Sequence, residues 1–271
     1  MKRMDSIREN LTKTDIIDMV LFELNADIEH KLHIVFVEGT DDILFGKKVF
    51  EEYVAVLESF SGKEGLKELL ECAELSSEPR IIAVRDKDYA DESALSDRMF
   101  VYDGSCMEMM LLKNYDVLKG FCDIYCMTEG SCTELLTNVM HELAAYSVAR
   151  KRNEQEGLGL RFRAGFGDMI KRGEFCLDEL FQREGFSDEL KEACKREAAA
   201  LSVAELYEIT NGHDICKYLA AISVNGKGNT MGEADVRKTL LCAYRKEDFK
   251  ETRLYRKIKQ YQIQYQLQFL T

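Results

Sequence analysis

Leu32-His33-Ile34-Val35-Phe36-Val37-Glu38-Gly39-Thr40-Asp41-Asp42 is an apolar run that ends abruptly in acid. The apolar part is short, rich in β-branched residues and nearly continuous, which predicts a strand buried on both faces of a parallel sheet. Ile81-Ile82-Ala83-Val84 has the same character and leads into Arg85-Asp86-Lys87-Asp88. Ligands of such sheets bind outside the carboxyl ends of the strands. A Glu ending one strand and an Asp-x-Asp ending another therefore point several carboxylates into one crevice, where their mutual repulsion requires a neutralising cation. An all-oxygen set suits a hard divalent ion such as Mg²⁺.

Outward from these runs, the spacing predicts a helix over 6–29, a strand over 32–38, a helix over 41–53, a strand over 54–57, a helix over 63–74, strands over 81–86 and 98–103, and a helix from Glu108. Alternating strands and helices make a parallel α/β unit. Gly39 fits a sharp turn after the strand and a close backbone approach to a ligand. Beyond about residue 130 the pattern becomes helical, with segments over 133–154, 187–207, 210–222 and 234–268. Gly157, Gly159, Gly165 and Gly167 surround the short run 158–166, the clearest break in that half. The expected organisation is an α/β domain over 1–130 with an N-terminal helix, then a mainly helical domain over 131–271.

Composition narrows the classes. In 271 residues, 46% hydrophobic content fills a core, and net charge is −12. That balance argues against generic nucleic-acid coating, which is driven by neutralising phosphates. The basic candidates are local: Arg150-Lys151-Arg152, Arg161, Arg163, Lys171-Arg172, and Arg253 to Lys259 with Tyr261 and Tyr265. Interleaved aromatic and basic residues could stack on and neutralise a single strand or structured RNA, although a solvated helix face is the commoner origin. The nine cysteines include no C-x-x-C pair and are read as reduced thiols. No apolar stretch approaches the ~20 residues of a membrane span, and no signal-peptide core is seen, so a cytoplasmic protein is expected.

The strand ending Glu38-Gly39 and the later strand ending Asp86-Lys87-Asp88 resemble the Toprim domain of topoisomerases, bacterial primases and overcoming-lysogenization-defect nucleases. The nuclease branch has a further acid four residues after the Glu, here Asp42. Met99-Phe100-Val101-Tyr102-Asp103 followed by Ser105 to Leu112 resembles the small Toprim proteins encoded beside ABC-type ATPases in phage-defence systems such as PARIS, where an acid, here Glu108, opens a helix after the fourth strand. The resemblance covers roughly the first half of the chain. It implies a Toprim fold, a Rossmann-like parallel sheet with flanking helices, and a Mg²⁺-dependent nuclease, with Mn²⁺ as substitute ion. Glu38, Asp42, Asp86, Asp88 and Glu108 are the implied metal ligands. It further implies a nucleic-acid substrate, RNA such as tRNA or DNA, and control by an ABC-type ATPase partner, with self-association left open.

Each acid also has a plainer reading, since Asp and Glu cap helices that follow strands. Capping explains each acid singly and the set poorly; Asp41 or Asp42 could be the cap of the 41–53 helix. In Thr210-Asn211-Gly212-His213-Asp214 the Asn-Gly pair reads as a turn before an amphipathic helix. Similar segments in the defence-linked proteins imply that His213 or Lys217 contacts a scissile phosphate; a capped helix with a partly exposed His is the alternative. Two other functions stay open. One is a haloacid-dehalogenase-type phosphatase, disfavoured because its Asp-x-Asp ends the first strand. The other is a non-catalytic regulatory subunit of an ATPase.

Overall fold

The computed structural model describes residues 11–126, 130–162, 169–171, 174–223 and 231–271. In chain order the elements begin with α1 (Lys13–Ala26), β1 (His33–Val37), α2 (Thr40–Val49), β2 (Val54–Glu58), α3 (Gly62–Glu71), β3 (Ile81–Arg85) and β4 (Met99–Val101). Helices α4 (Met107–Lys113), α5 (Tyr115–Tyr125) and α6 (Cys132–Glu156) follow, then the short strands β5 (Ile170–Lys171) and β6 (Glu174–Phe175). The remainder is α7 (Leu177–Arg183), α8 (Asp188–Ala198), α9 (Val203–Ile209), α10 (Gly212–Ile222), α11 (Glu233–Ala243), α12 (Lys246–Phe249) and α13 (Arg253–Tyr265). The protein is thus α/β, with a parallel sheet and a mostly helical remainder.

The chain forms two compact units that are not consecutive halves. One comprises the described residues of Met1–Asp86, Glu92–Tyr102 and Arg245–Thr271; the other comprises those of Lys87–Asp91 and Asp103–Tyr244. A cut at Gly130 matches neither.

In the first unit a fully parallel sheet has the order β2-β1-β3-β4. The central strands β1 and β3 are buried at every position, as near-continuous apolarity requires when helices cover both faces. Ile16, Ile17, Val20 and Leu24 of α1 pack with Leu66, Leu69 and Leu70 of α3 onto Ile34, Phe36, Ile81 and Ala83. Elsewhere in the unit Phe45 of α2 meets Tyr102 and Phe249 edge to face at 5.5 and 5.6 Å. Gly46 lets α2 lie close on β2, for a Cβ there would stand 2.8 Å from Cγ1 of Val56. The C-terminal residues complete the unit: Leu254, Ile258, Phe269 and Leu270 are buried, and the backbone N–H of Gln268 donates to Nε2 of His33 in β1 at 3.2 Å.

In the second unit α6 is the spine, packed against α8, α9 and α10, with α11 on α10. The long helices expected over 187–207 and 234–268 are each broken. Ser202 caps a new helix with a reciprocal Glu205 box, Arg245 precedes α12, and Thr252 caps α13. Apolar periodicity continues across such breaks, so it conceals the caps that interrupt it. The helix over 177–183 was not expected. Residues 6–10 of the first helix, and Arg163, Gly165, Gly167 and Arg172, lie outside the described residues.

Candidate functional site

In the first unit the strand order reverses between β1 and β3, and their carboxyl ends carry Glu38 and Asp86. Such a reversal opens a crevice in α/β sheets. The two acids come together there: the Asp86 backbone N–H donates to Glu38 Oε1 at 3.1 Å, and Arg85 Nε stands 3.7 Å from the same oxygen. Arg85, 8% exposed, also donates through Nε to the Asp86 carbonyl at 2.8 Å, so its guanidinium is fixed across the strand end. The loop after β2 reaches the same place. Gly62, with φ +48, would carry a Cβ 4.0 Å from Glu38 Oε2, and Ser59 Oγ holds the Gly62 carbonyl at 2.7 Å.

Asp42 belongs to this unit with both carboxylate oxygens engaged. Oδ2 accepts from the Gly39 N–H at 3.0 Å and Oδ1 from the hydroxyl of fully buried Tyr102 at 2.7 Å. It therefore caps the first turn of α2 and ties that turn to the residue after β4. Tyr102 was legible only as a strand residue, because its partner is 60 positions away in sequence. The chain bends at Glu38 and Gly39 before α2, but the bend does not require glycine: φ −155 and ψ −177 are extended, and a Cβ there would meet Asp42 Oδ2 at an ordinary 3.7 Å.

In the second unit Asp88 has a positive φ of 48, an uncommon conformation for a residue with a side chain, though one that Asp and Asn tolerate best. Its N–H donates to the Ser105 carbonyl at 2.8 Å, while neighbouring Lys87 pairs with Glu208 at 2.6 Å. The Ser105 N–H donates to the Tyr207 carbonyl at 3.0 Å and Ser105 Oγ to that of Thr210, so the segment before α4 lies on the segment before α10. Glu108, second residue of α4, is 6% exposed. A Cβ at Gly212 would stand 2.2 Å from Glu108 Oε2 and 2.7 Å from Cys106 Sγ, so any larger residue where α10 begins would displace these buried side chains.

Asn211 caps α10 through the N–H groups of His213 and Asp214. Asp214, 1% exposed, takes both Nε and a terminal nitrogen of Arg150, whose guanidinium also lies over the Phe162 ring at 4.3 Å. Burial alone would lower the Arg150 pKa, but the Asp214 carboxylate outweighs it and holds the guanidinium above its ordinary value. Lys151 and Arg152 pair with Glu197, and Arg253 and Lys257 with Glu92. Among the basic residues singled out in the sequence, Arg150, Lys151, Arg152, Arg253 and Lys257 thus each pair with an acid of their own unit.

The donor chemistry at Glu38 and Asp86 is all oxygen and fits a hard divalent cation. Among the described residues, no group of three or more His, Cys, Asp or Glu side chains stands close enough together to hold a metal ion. Among them, too, no helix is long and apolar enough to cross a membrane. No family model and no curated protein matches the chain.

Proposed function

We propose that this protein is a metal-dependent phosphodiesterase of Toprim type, a nuclease acting as a toxin-like effector of anti-phage defence. The observation that carries the reading is the meeting of Glu38 and Asp86 at the carboxyl ends of adjacent parallel strands, where the strand order reverses. Mg²⁺, or Mn²⁺ in its place, would be the cofactor, held from the sheet unit by Glu38 and Asp86. The ion would supply activation of water and stabilisation of charge at phosphorus. Asp42, already held by Gly39 and Tyr102, offers only its remaining lone pairs. Arg85 holds Glu38 in place, and the positive φ of Asp88 is a local strain of the kind that accompanies functional sites.

A net charge of −12 and the internal ion pairs of Arg150, Lys151, Arg152, Arg253 and Lys257 favour a structured RNA such as tRNA over tight binding to duplex DNA. They also favour a partner, by resemblance an ABC-type ATPase, that restrains the chain and supplies positive surface. The test is cleavage of tRNA and duplex DNA by the purified chain with Mg²⁺, with EDTA, and in the variants Glu38→Gln, Asp86→Asn and Asp88→Asn. Loss of even a supporting group commonly costs 10–100-fold, so each variant should lose about 100-fold or more. The amides keep shape and hydrogen bonding, and Asn tolerates the Asp88 conformation. Full activity in all three would end the assignment; co-purification with the ATPase but no cleavage would establish the regulatory alternative.

A further inference from the structure

Cys122 and Cys126 stand one helical turn apart at the end of α5, away from the acids of the candidate site. The Cys126 N–H donates to the Cys122 carbonyl at 2.9 Å, so the two residues share one face of the helix. Their thiols are hydrogen-bonded to each other. Cys122 is 5% exposed, whereas Cys126 is only partly buried. Residues four apart on a helix have Cβ atoms about 5–6 Å apart, and a disulfide brings them to about 3.5–4.5 Å. The remaining gap is small, and Cys126 sits where it closes most easily. It is the C-cap residue, already extended with φ −112 and ψ 115, and helix ends yield first.

The two thiols are unlike. The hydrogen bond to Cys126, and then burial, hold the Cys122 pKa above the ordinary thiol range. Cys126 accepts that hydrogen bond, which outweighs its partial burial and holds its pKa below the same range. The Ser223 hydroxyl is also near Cys126, but its proton is committed to the Leu219 carbonyl at 2.6 Å, so Cys122 is the chief support of a Cys126 thiolate. A buried cysteine alone would be only a small apolar side chain. A more acidic, partly exposed thiol with a second thiol against it is the arrangement of a reactive cysteine and its resolving partner.

We propose that Cys126 and Cys122 form a reversible thiol–disulfide site that takes hydrogen peroxide as oxidant and a small thiol as reductant. In the first step the Cys126 thiolate sulfur bonds to one peroxide oxygen as the O–O bond breaks. Cys126 becomes a sulfenic acid, and the released hydroxide takes a proton from solvent and leaves as water. The Cys122 sulfur then bonds to the Cys126 sulfur as the S–O bond breaks, and the Cys122 proton leaves with the hydroxide as a second water. Two thiols are thereby oxidised to one disulfide while the peroxide is reduced to two waters, and exchange with two small thiols restores the pair. Both cysteines lie in the second unit, and the site does not depend on the nuclease reading.

The full chain, reduced and then treated with peroxide, can be blocked by alkylation and mapped after cleavage at Asp123 and Glu129, which separates Cys122, Cys126 and Cys132. Two thiols should be lost as a Cys122–Cys126 disulfide and returned by dithiothreitol, at peroxide levels that leave the exposed Cys242 free. In Cys122→Ala, which keeps the position apolar, dimedone should trap Cys126 as its sulfenic acid, more slowly for want of the hydrogen bond. Cys132→Ser should behave as the unaltered chain. A Cys126–Cys132 bond in the unaltered protein, or oxidation of Cys242 while Cys122 and Cys126 both stay reduced, overturns the site.

Discussion

Gly212 and Tyr102 show how single atoms hold the regions around the candidate acids. A methyl group at Gly212 would sit 2.2 Å from Glu108 Oε2 and 2.7 Å from Cys106 Sγ, so the buried Glu108 and Cys106 side chains would both have to shift. Overpacking of this kind costs about 1–3 kcal/mol, so Gly212→Ala should lower the urea midpoint of unfolding, and an unchanged midpoint would show that α4 and α10 are not packed this closely. Tyr102→Phe removes the only change in atoms between the two residues, the hydroxyl that donates to Asp42 at 2.7 Å. Hydrogen bonds to charged groups contribute about 1.5–3 kcal/mol. The same loss is expected by denaturation with and without Mg²⁺, since it arises from the Tyr102–Asp42 hydrogen bond and not from metal binding. A loss seen only with Mg²⁺ would assign Asp42 to the ion instead.

At the scale of elements, His33 couples β1 to the C-terminal residues. Its Nε2 accepts from the Gln268 N–H at 3.2 Å, which leaves Nδ1 to donate to the Lys31 carbonyl at 2.7 Å, so the neutral ring satisfies both. Protonation would set Nε2–H against N–H. Burial is the chief reason the His33 pKa lies below its ordinary value, and the nearby Arg80 cation acts in the same direction. The unfolded chain then binds a proton as pH falls through about 6.5, while the folded chain does so only at lower pH. This contribution to stability is therefore present above about pH 6.5 and declines as the pH drops below it. The thermal midpoint should fall between pH 7.5 and 5.5, and His33→Gln should fall less over the same range. Parallel slopes in the two proteins would remove His33 as the cause.

At the scale of the molecule, the first unit is closed by residues from the far end of the chain. Phe249, Leu254, Ile258, Phe269 and Leu270 are all buried in it, and side chains of this size contribute about 1.5–3 kcal/mol each. Together they are on the order of the whole net stability of a domain. A chain ending at Tyr244 should consequently lose the cooperative unfolding of the sheet unit, measured by near-ultraviolet dichroism and protease resistance. A truncated protein with an unaltered transition would show that the sheet unit folds without its C-terminal helices.

The sequence by itself determined the four strands of the parallel sheet, the alternation that makes it parallel, and the acids at the strand ends. These are local facts: Ile34 to Val37 and Ile81 to Val84 are apolar on both faces because both faces are covered, and Glu38 follows the first run and Asp86 lies two residues beyond the second in any arrangement. Tertiary structure decided what no local pattern encodes. The sheet order placed Glu38 beside Asp86, and the Tyr102 hydroxyl took the Asp42 oxygen that the cap of α2 leaves over. Arg150 was withdrawn from its basic cluster by Asp214, 64 residues away, and Arg245–Thr271 joined the sheet unit instead of a helical domain. Each is a pairing between distant positions, where partners are chosen by shape and charge in three dimensions and leave no periodic trace along the chain.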